Sequence, residues 1–134
     1  MGMSMDIRVG LGVDAHRLGP GVDQPDALPV TNREPLVDQQ RAQAEGASGR
    51  LLLGIVMQRV RQAGFAVVNA HVVIMCERPR ISRYRDAMED ALSAVVGARV
   101  TVHATTTEQM GALGRGEGIG AQAVALLNGD GRTA

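Results

Sequence analysis

Three short segments of the sequence carry side chains that could bind metal ions or phosphate. The first is Asp14-Ala15-His16, which follows directly on a predicted strand. Residues two apart on an extended segment point the same way, so the carboxylate and the imidazole could share one divalent ion, and zinc accepts mixed oxygen and nitrogen ligands. Taken from the tripeptide alone, a turn aspartate beside a surface histidine is the simpler interpretation.

The second segment is Thr105-Thr106-Thr107-Glu108, at the end of another predicted strand. Its hydroxyls, backbone amides and carboxylate suit phosphate oxygens together with a hard cation such as Mg²⁺. Threonine is common in strands, however, so an ordinary strand end would also explain this pattern.

The third segment, Gly114-Arg115-Gly116-Glu117-Gly118, is predicted to lie at the entrance of a helix. Arg115 could meet an anion there, assisted by exposed backbone amides and the helix dipole, while Glu117 could pair with an arginine. A glycine-rich turn with a surface ion pair is the alternative. The spacing matches neither a Walker loop nor a dinucleotide fingerprint.

The elements that must position these segments follow from hydrophobic periodicity. The order of the predicted strands and helices indicates an α/β (α+β sandwich) fold, with helices packed on one face of a small mixed β-sheet. Residues 19–49 contain four of the five prolines and no sustained period, which indicates an atypical loop. The predicted strands are Asp6 to Val13, Phe65 to Cys76 and Val100 to Ala104, and the predicted helices are Ser48 to Arg61, Ile81 to Val95 and Glu117 to Leu127.

Composition limits the classes of function. The chain has 134 residues, enough for a single domain over 1–134, with 14 basic and 14 acidic side chains and a net charge of zero. This balance, with Phe65 and Tyr84 as the two aromatic residues, argues against nucleic-acid binding. No apolar stretch approaches the roughly 20 residues that span a bilayer. The single cysteine, Cys76, and the lack of a secretory pattern predict a cytoplasmic protein without a membrane partner.

Two longer blocks contain these segments, VGLGVDAH at residues 9–16 and HATTTEQMGALGRGEGIGAQAVALL at residues 103–127. They resemble the 2-C-methyl-D-erythritol 2,4-cyclodiphosphate synthase family of the non-mevalonate isoprenoid pathway, and the second block is the more specific. Between them, residues 48–100 follow the family's order of helix, strand, nucleotide loop and helix, with Cys76 to Ser82 in the place of that loop.

The resemblance implies a phosphorus–oxygen lyase that assembles as a homotrimer through its sheets, with active sites between neighbouring subunits. The implied substrate is a cytidine diphosphate compound, 4-diphosphocytidyl-2-C-methyl-D-erythritol 2-phosphate, and the implied reaction is its cyclisation with release of CMP. The implied metals are Zn²⁺, held by Asp14 and His16, and Mg²⁺ or Mn²⁺, held by Glu108. Thr106 corresponds to the catalytic threonine that orients phosphate. The implied substrate-binding residues are Asp14, Ala15, His16, Thr105, Thr106, Thr107, Glu108 and Arg115.

The sequence also departs from this family. Its members carry a His-Ser-Asp-Gly-Asp segment after the first strand, which supplies a third zinc ligand, and residues 17–50 contain no such motif. Because catalytic zinc normally has three protein ligands, a second hypothesis remains open. The chain would then be a catalytically impaired, internally shortened relative that acts as a trimeric binding or assembly module.

Overall fold

The computed structural model describes residues 5–18 and 48–130. The predicted loop at 19–49 therefore lies almost entirely outside the described residues. Within them, no helix is long and apolar enough to cross a membrane. The elements are β1 (Asp6–Arg17), α1 (Gly49–Gln62), β2 (Phe65–Met75), a 3₁₀ turn (Ile81–Arg83), α2 (Arg85–Val96), β3 (Arg99–Thr105), α3 (Gly111–Gly114) and β4 (Gly118–Gly129).

The strands form a four-stranded mixed sheet in the order β1-β4-β2-β3. β4 pairs antiparallel with both β1 and β2, whereas β2 and β3 are parallel and are connected through α2. The predicted class, a small mixed sheet with helices, is confirmed. Because β1, β2 and β3 run in the same direction, their C-terminal ends meet the N-terminal end of β4 at one end of the sheet, which we call the site end.

The two long helices begin and end where the sequence predicts, within a few residues. The Ser48 side chain accepts a hydrogen bond from the Leu51 amide (3.2 Å) and caps α1. α2 ends at Gly97, which has the left-handed φ of 76° that glycine adopts without steric cost. The sequence predicts one helix from Ile81, but the structure separates a 3₁₀ turn from α2 at Tyr84.

Both helices pack on one face of β2 and β3, which we call the helix face. One buried cluster is Met57, Val96 and Val100; the other is Ile74, Cys76, Ile81, Val102 and Ile119. Hydrogen bonds reinforce this packing, since the Glu89 carboxylate of α2 accepts from the Val102 amide (3.0 Å). The helices therefore hold β2 and β3 at fixed positions beneath the loops of the site end.

The opposite side of the sheet, which we call the open face, has no helix on it among residues 5–18 and 48–130. Alternate residues of β1 point to this face, and their side chains are apolar and exposed: Ile7 51%, Val9 69%, Leu11 65% and Val13 64%. A contiguous apolar strip of this kind usually marks an interaction surface. The next two strands, β4 and β2, contribute Val124, Leu126, Asn69 and His71 to the same face.

The prediction of a helix over Glu117 to Leu127 is wrong, because this segment is strand β4. Its alanines and leucines have a high intrinsic helix propensity, which is the reason for the prediction. In the fold, the segment lies between β1 and β2 and its backbone pairs on both sides. Tertiary pairing thus overrides helix propensity, as it often does. The glycine-rich segment around Arg115 consequently leads into a strand, so the predicted helix amides and dipole are absent from it.

The first strand is longer than predicted. The sequence predicts that it ends at Val13, but β1 continues to Arg17 because Asp14 to Arg17 pair with Ala121 to Gly118. Asp14 and His16 are therefore strand residues rather than members of a loop. Their position in a hydrogen-bonded ladder fixes both side chains more firmly than a loop would.

Candidate active site at one end of the sheet

The topology brings the three chemistry-bearing segments to the site end. Asp14 and His16 lie near the C-terminal end of β1, and the segment from Thr105 to Glu108 begins at the C-terminal end of β3. Arg115 lies in the turn just before β4. These residues are distant in the sequence, and they lie at the same end of the sheet because β1 and β3 run in the same direction and β4 runs in the opposite one.

Asp14 and His16 contact each other directly. Their side chains point to the helix face, and His16 Nε2 lies 2.7 Å from Asp14 Oδ2. The other carboxylate oxygen, Oδ1, accepts a hydrogen bond from the Ala15 amide (2.9 Å). The side chains are 18% exposed for Asp14 and 34% for His16. The sequence spacing thus predicts their shared direction correctly, and both groups remain accessible to a small ligand.

This pair suits zinc as far as two ligands are concerned. A carboxylate oxygen and an imidazole nitrogen are both common zinc donors, and here they lie side by side at the surface. The described residues contain no group of three His, Cys, Asp or Glu side chains that could hold a metal ion. Zinc ligation by Asp14 and His16 therefore stays a prediction, and it requires at least one further ligand from elsewhere.

The segment after β3 folds into a tight, exposed loop. The Thr106 hydroxyl accepts a hydrogen bond from the Glu108 amide (3.2 Å), and the Thr107 hydroxyl donates to the Met110 carbonyl oxygen (2.8 Å). Glu108 and Gln109 have left-handed φ values of 53° and 64°, which cost non-glycine residues roughly 1–2 kcal/mol each. Strain of this kind is found most often at functional sites. The loop presents Glu108 to solvent.

A residue that sequence reasoning missed holds this loop. Glu77, just after β2, accepts a hydrogen bond at Oε1 from the Gln109 amide (3.2 Å). The backbones of the two loops also meet, since the Cys76 amide donates to the Thr105 carbonyl oxygen (3.2 Å). No local pattern marks Glu77, because its partner lies 32 residues away in the sequence.

Arg115 and Glu117 form a two-point ion pair at the site end. Arg115 Nε lies 3.0 Å from Glu117 Oε1, and Nη2 lies 3.3 Å from Oε2. The hydrogen bond to Arg115 lowers the pKa of Glu117, and the same pair raises the pKa of Arg115. The predicted pairing of Glu117 with an arginine is confirmed. Both side chains are more than half exposed, so an anion could still approach Arg115.

Two halves of the candidate site lie at opposite edges of the sheet. β1, with Asp14 and His16, is one edge strand, and β3, which leads to Thr106 and Glu108, is the other. Three strand spacings of about 4.8 Å place these edges roughly 14 Å apart. One chain therefore does not bring the proposed zinc ligands against the phosphate loop.

Known proteins resemble this chain in sequence and in fold. The chain belongs to the YgbB family, whose model matches residues 27–128. The match begins at residue 27, within the segment 17–50 that lacks the His-Ser-Asp-Gly-Asp motif.

Curated relatives carry a consistent name. The 2-C-methyl-D-erythritol 2,4-cyclodiphosphate synthase of Cereibacter sphaeroides is 33% identical over 160 residues, covering 92% of this chain and 98% of the relative. That of Laribacter hongkongensis is 46% identical over 86 residues, covering 62% of this chain and 53% of the relative. The bifunctional enzyme IspD/IspF of Sulfurimonas denitrificans is 43% identical over 86 residues, covering 62% of this chain.

The extent of these alignments bears on chain length. The 160-residue alignment with the Cereibacter sphaeroides relative exceeds the 134 residues of the chain, so that relative contains residues that this chain lacks. The chain spans 53% of the Laribacter hongkongensis relative and 22% of the Sulfurimonas denitrificans relative.

Solved structures share the fold. The bifunctional IspDF of Campylobacter jejuni gives a TM-score of 0.76 at 21% identity, covering 94% of this chain and 43% of that one. The CDP complex of IspF from Plasmodium falciparum gives a TM-score of 0.69 at 17% identity, covering 92% of this chain and 96% of that one.

Proposed function

We propose that this protein is a 2-C-methyl-D-erythritol 2,4-cyclodiphosphate synthase that releases CMP as it cyclises its substrate. The observation that carries the proposal is the contact between Asp14 and His16, 2.7 Å apart, at the same end of the sheet as the Thr106–Glu108 loop. Membership of a family whose curated relatives are named for this reaction supports it.

The proposed chemistry is an internal phosphoryl transfer. An oxygen of the substrate's 2-phosphate attacks the β-phosphorus, the bond from that phosphorus to the bridging oxygen breaks, and CMP leaves with that oxygen. Such a transfer needs mainly positioning of the reacting groups and neutralisation of charge. The Thr106 hydroxyl would orient a phosphate oxygen. The CDP complex of the Plasmodium falciparum relative supports a cytidine nucleotide as part of the ligand.

Two divalent cations complete the proposed site. Asp14 and His16 would hold Zn²⁺, and Glu108 would hold Mg²⁺ or Mn²⁺ at the diphosphate. When bound, such cations polarise phosphoryl oxygens and offset the charge that develops on them. The substrate would complete the metal shell. We place the reaction in the cytoplasm, where an unpaired cysteine such as Cys76 is usual.

The proposed assembly is a homotrimer. The two halves of the site lie on opposite edge strands, so a neighbouring copy could bring its Thr106 and Glu108 to the Asp14 and His16 of another subunit. The exposed apolar strip on β1 supplies a surface that such contacts would bury. Together these features support active sites between subunits.

The test measures CMP release and bound zinc on the same preparation. We expect the wild-type protein to release CMP from 4-diphosphocytidyl-2-C-methyl-D-erythritol 2-phosphate in the presence of zinc and magnesium. Asp14→Ala should bind less zinc and lose about 100-fold or more in kcat/KM, since even supporting residues of metal sites cost 10–100-fold. The matched control is Asp90→Ala, which removes an exposed carboxylate from α2 and should change neither quantity.

A wild-type protein that releases no CMP with both metals present would contradict the proposal. If that protein still formed a defined trimer, the result would favour the binding or assembly module instead. If Asp14→Ala releases CMP and binds as much zinc as the wild type, the protein is still a synthase, but Asp14 is not a zinc ligand.

A further inference from the structure

Glu77 occupies a position between two loops of the site end. It lies two residues after the end of β2, next to Cys76, and its side chain is half-buried. Glu77 Oε1 accepts the Gln109 amide at 3.2 Å. This hydrogen bond spans the gap from the end of β2 to the loop that follows β3.

The loop that Glu77 holds has an unfavourable backbone conformation. Both Glu108 and Gln109 have left-handed φ values, so the loop would relax to other conformations unless external contacts held it. Within the loop, the Thr106 hydroxyl accepts from the Glu108 amide and the Thr107 hydroxyl donates to the Met110 carbonyl oxygen. Glu77 supplies an additional contact from another part of the sheet.

The backbone of Gln109 has a second close neighbour, Gly114 of α3. A methyl group added at Gly114 would come within 2.2 Å of the Gln109 carbonyl carbon, so α3 packs directly against this backbone. Gln109 is therefore contacted both by Glu77, through its amide, and by Gly114 of α3. Glu108 immediately precedes Gln109, and its direction depends on where that peptide lies.

We propose that Glu77 is a positioning residue, whose carboxylate holds the Gln109 peptide so that Thr106 and Glu108 face the reacting phosphates. The proposal rests on the proposed function for its catalytic consequence. The role proposed for Glu77 is exerted through its hydrogen bond to the loop. Since Glu77 belongs to the Cys76–Ser82 segment, the same hydrogen bond keeps that segment at a fixed distance from the phosphate loop.

The test compares three variants of the full-length protein. Glu77→Ala removes the acceptor, and Glu77→Gln retains an acceptor oxygen at the same position without the charge. The matched control is Glu89→Ala, because Glu89 Oε1 also accepts a backbone amide, from Val102 at 3.0 Å. That hydrogen bond joins α2 to β3 away from the loop, so Glu89→Ala reports the effect of losing such a bond on general stability.

Two readouts separate positioning from general stability. Amide hydrogen exchange at Gln109 reports the hold on the loop, and kcat and KM for CMP release report its consequence. Losing a hydrogen bond to a charged group shifts the equilibrium between the held and the released loop by about tenfold or more. We expect Glu77→Ala to speed exchange at Gln109 and to lower kcat, each by about tenfold, while KM changes little. Glu77→Gln should recover both to within about threefold of the wild-type values.

Each other outcome is informative. Unchanged exchange at Gln109 in Glu77→Ala, or an equal increase in Glu89→Ala, would overturn the proposed hold. Faster exchange with unchanged kcat in an active enzyme would overturn the positioning role. If the wild-type protein releases no CMP, the proposed function fails by itself, and the exchange measurement still decides whether Glu77 holds the loop.

Discussion

Cys76 is a buried thiol beside the candidate site, and its surroundings disfavour ionisation. Its side chain is 5% exposed, and Sγ donates to the Pro79 carbonyl oxygen at 3.5 Å. Burial raises the pKa of the Cys76 thiol, and the neighbouring Glu77 carboxylate raises it further. Since the thiolate is the reactive form, the thiol should react slowly in the folded protein.

The raised pKa of Cys76 predicts a dependence of stability on pH. The unfolded chain loses the thiol proton near the ordinary pKa of about 8.5, whereas the folded chain keeps it to higher pH. The free energy of unfolding should therefore fall as the pH rises from 7.5 to 9.5, and this fall should be smaller in Cys76→Ala. Urea unfolding at the two pH values measures the difference. An equal fall in both proteins would show that the thiol does not contribute.

At the residue scale, sequence predicts contacts between near neighbours and misses distant ones. The two-residue spacing of Asp14 and His16 predicts their shared direction, and the 2.7 Å contact agrees. The sequence also suggests that Glu117 pairs with an arginine, and the structure shows that the arginine is Arg115, two residues away. The contact of Glu77 with Gln109 could not be predicted, because it depends on how β2 and β3 align.

At the scale of elements, predictions succeed where one physical signal dominates. α1 and β2 are predicted closely, since a capping serine marks the start of the first and β-branched residues fill the second. β4 is mispredicted because its alanine- and leucine-rich sequence favours a helix in isolation. Its two strand partners decide its conformation, and neither is near it in the sequence.

The short helix α3 makes a prediction at the same scale. A Cβ at Gly114 would lie 2.2 Å from the carbonyl carbon of Gln109, and the backbone there cannot rotate away as a side chain could. Gly114→Ala should therefore displace α3 from the Thr106–Met110 loop and lower kcat for CMP release by about tenfold or more, as misplacement by an ångström does.

Gly54→Ala is the matched control for Gly114→Ala. Gly54 lies within α1, and an added Cβ there meets no atom within 4 Å. Because alanine favours a helix more than glycine does, this variant should be as stable as the wild type or slightly more stable, with unchanged turnover. Loss of turnover in Gly54→Ala, or full activity in Gly114→Ala, would contradict the prediction.

At the scale of the whole molecule, strand order separates the two parts of the candidate site within one chain. The residue types around Asp14 and Thr106 mark both segments in the sequence, but hydrophobic periodicity contains no information on which strands lie at the edges of the sheet. The order β1-β4-β2-β3 places the segments on opposite edges of one sheet. The proposed sharing of a site between subunits thus rests on a strand order that the structure provides and the sequence does not.

The open face of β1 provides the prediction that tests this assembly. Leu11 is 65% exposed in the single chain and lies in the centre of the apolar strip. If copies of the chain bury this strip, Leu11→Asp would bury a carboxylate at the contact at a cost of several kcal/mol, weakening association by about 100-fold or more. We expect sedimentation velocity to show a trimer for the wild type and a monomer for Leu11→Asp at the same micromolar concentration. Because the site would be shared between subunits, CMP release should fall with the trimer.

The control for Leu11→Asp is Leu51→Asp, which places the same charge on an equally apolar and similarly exposed side chain. Leu51 is 56% exposed in the first turn of α1, on the opposite side of the sheet, where an aspartate also suits the helix dipole. This variant should remain trimeric and active. A trimer in Leu11→Asp would show that the open face is not the contact between subunits. Dissociation of both variants would show that the contact between subunits includes the helix side of the molecule.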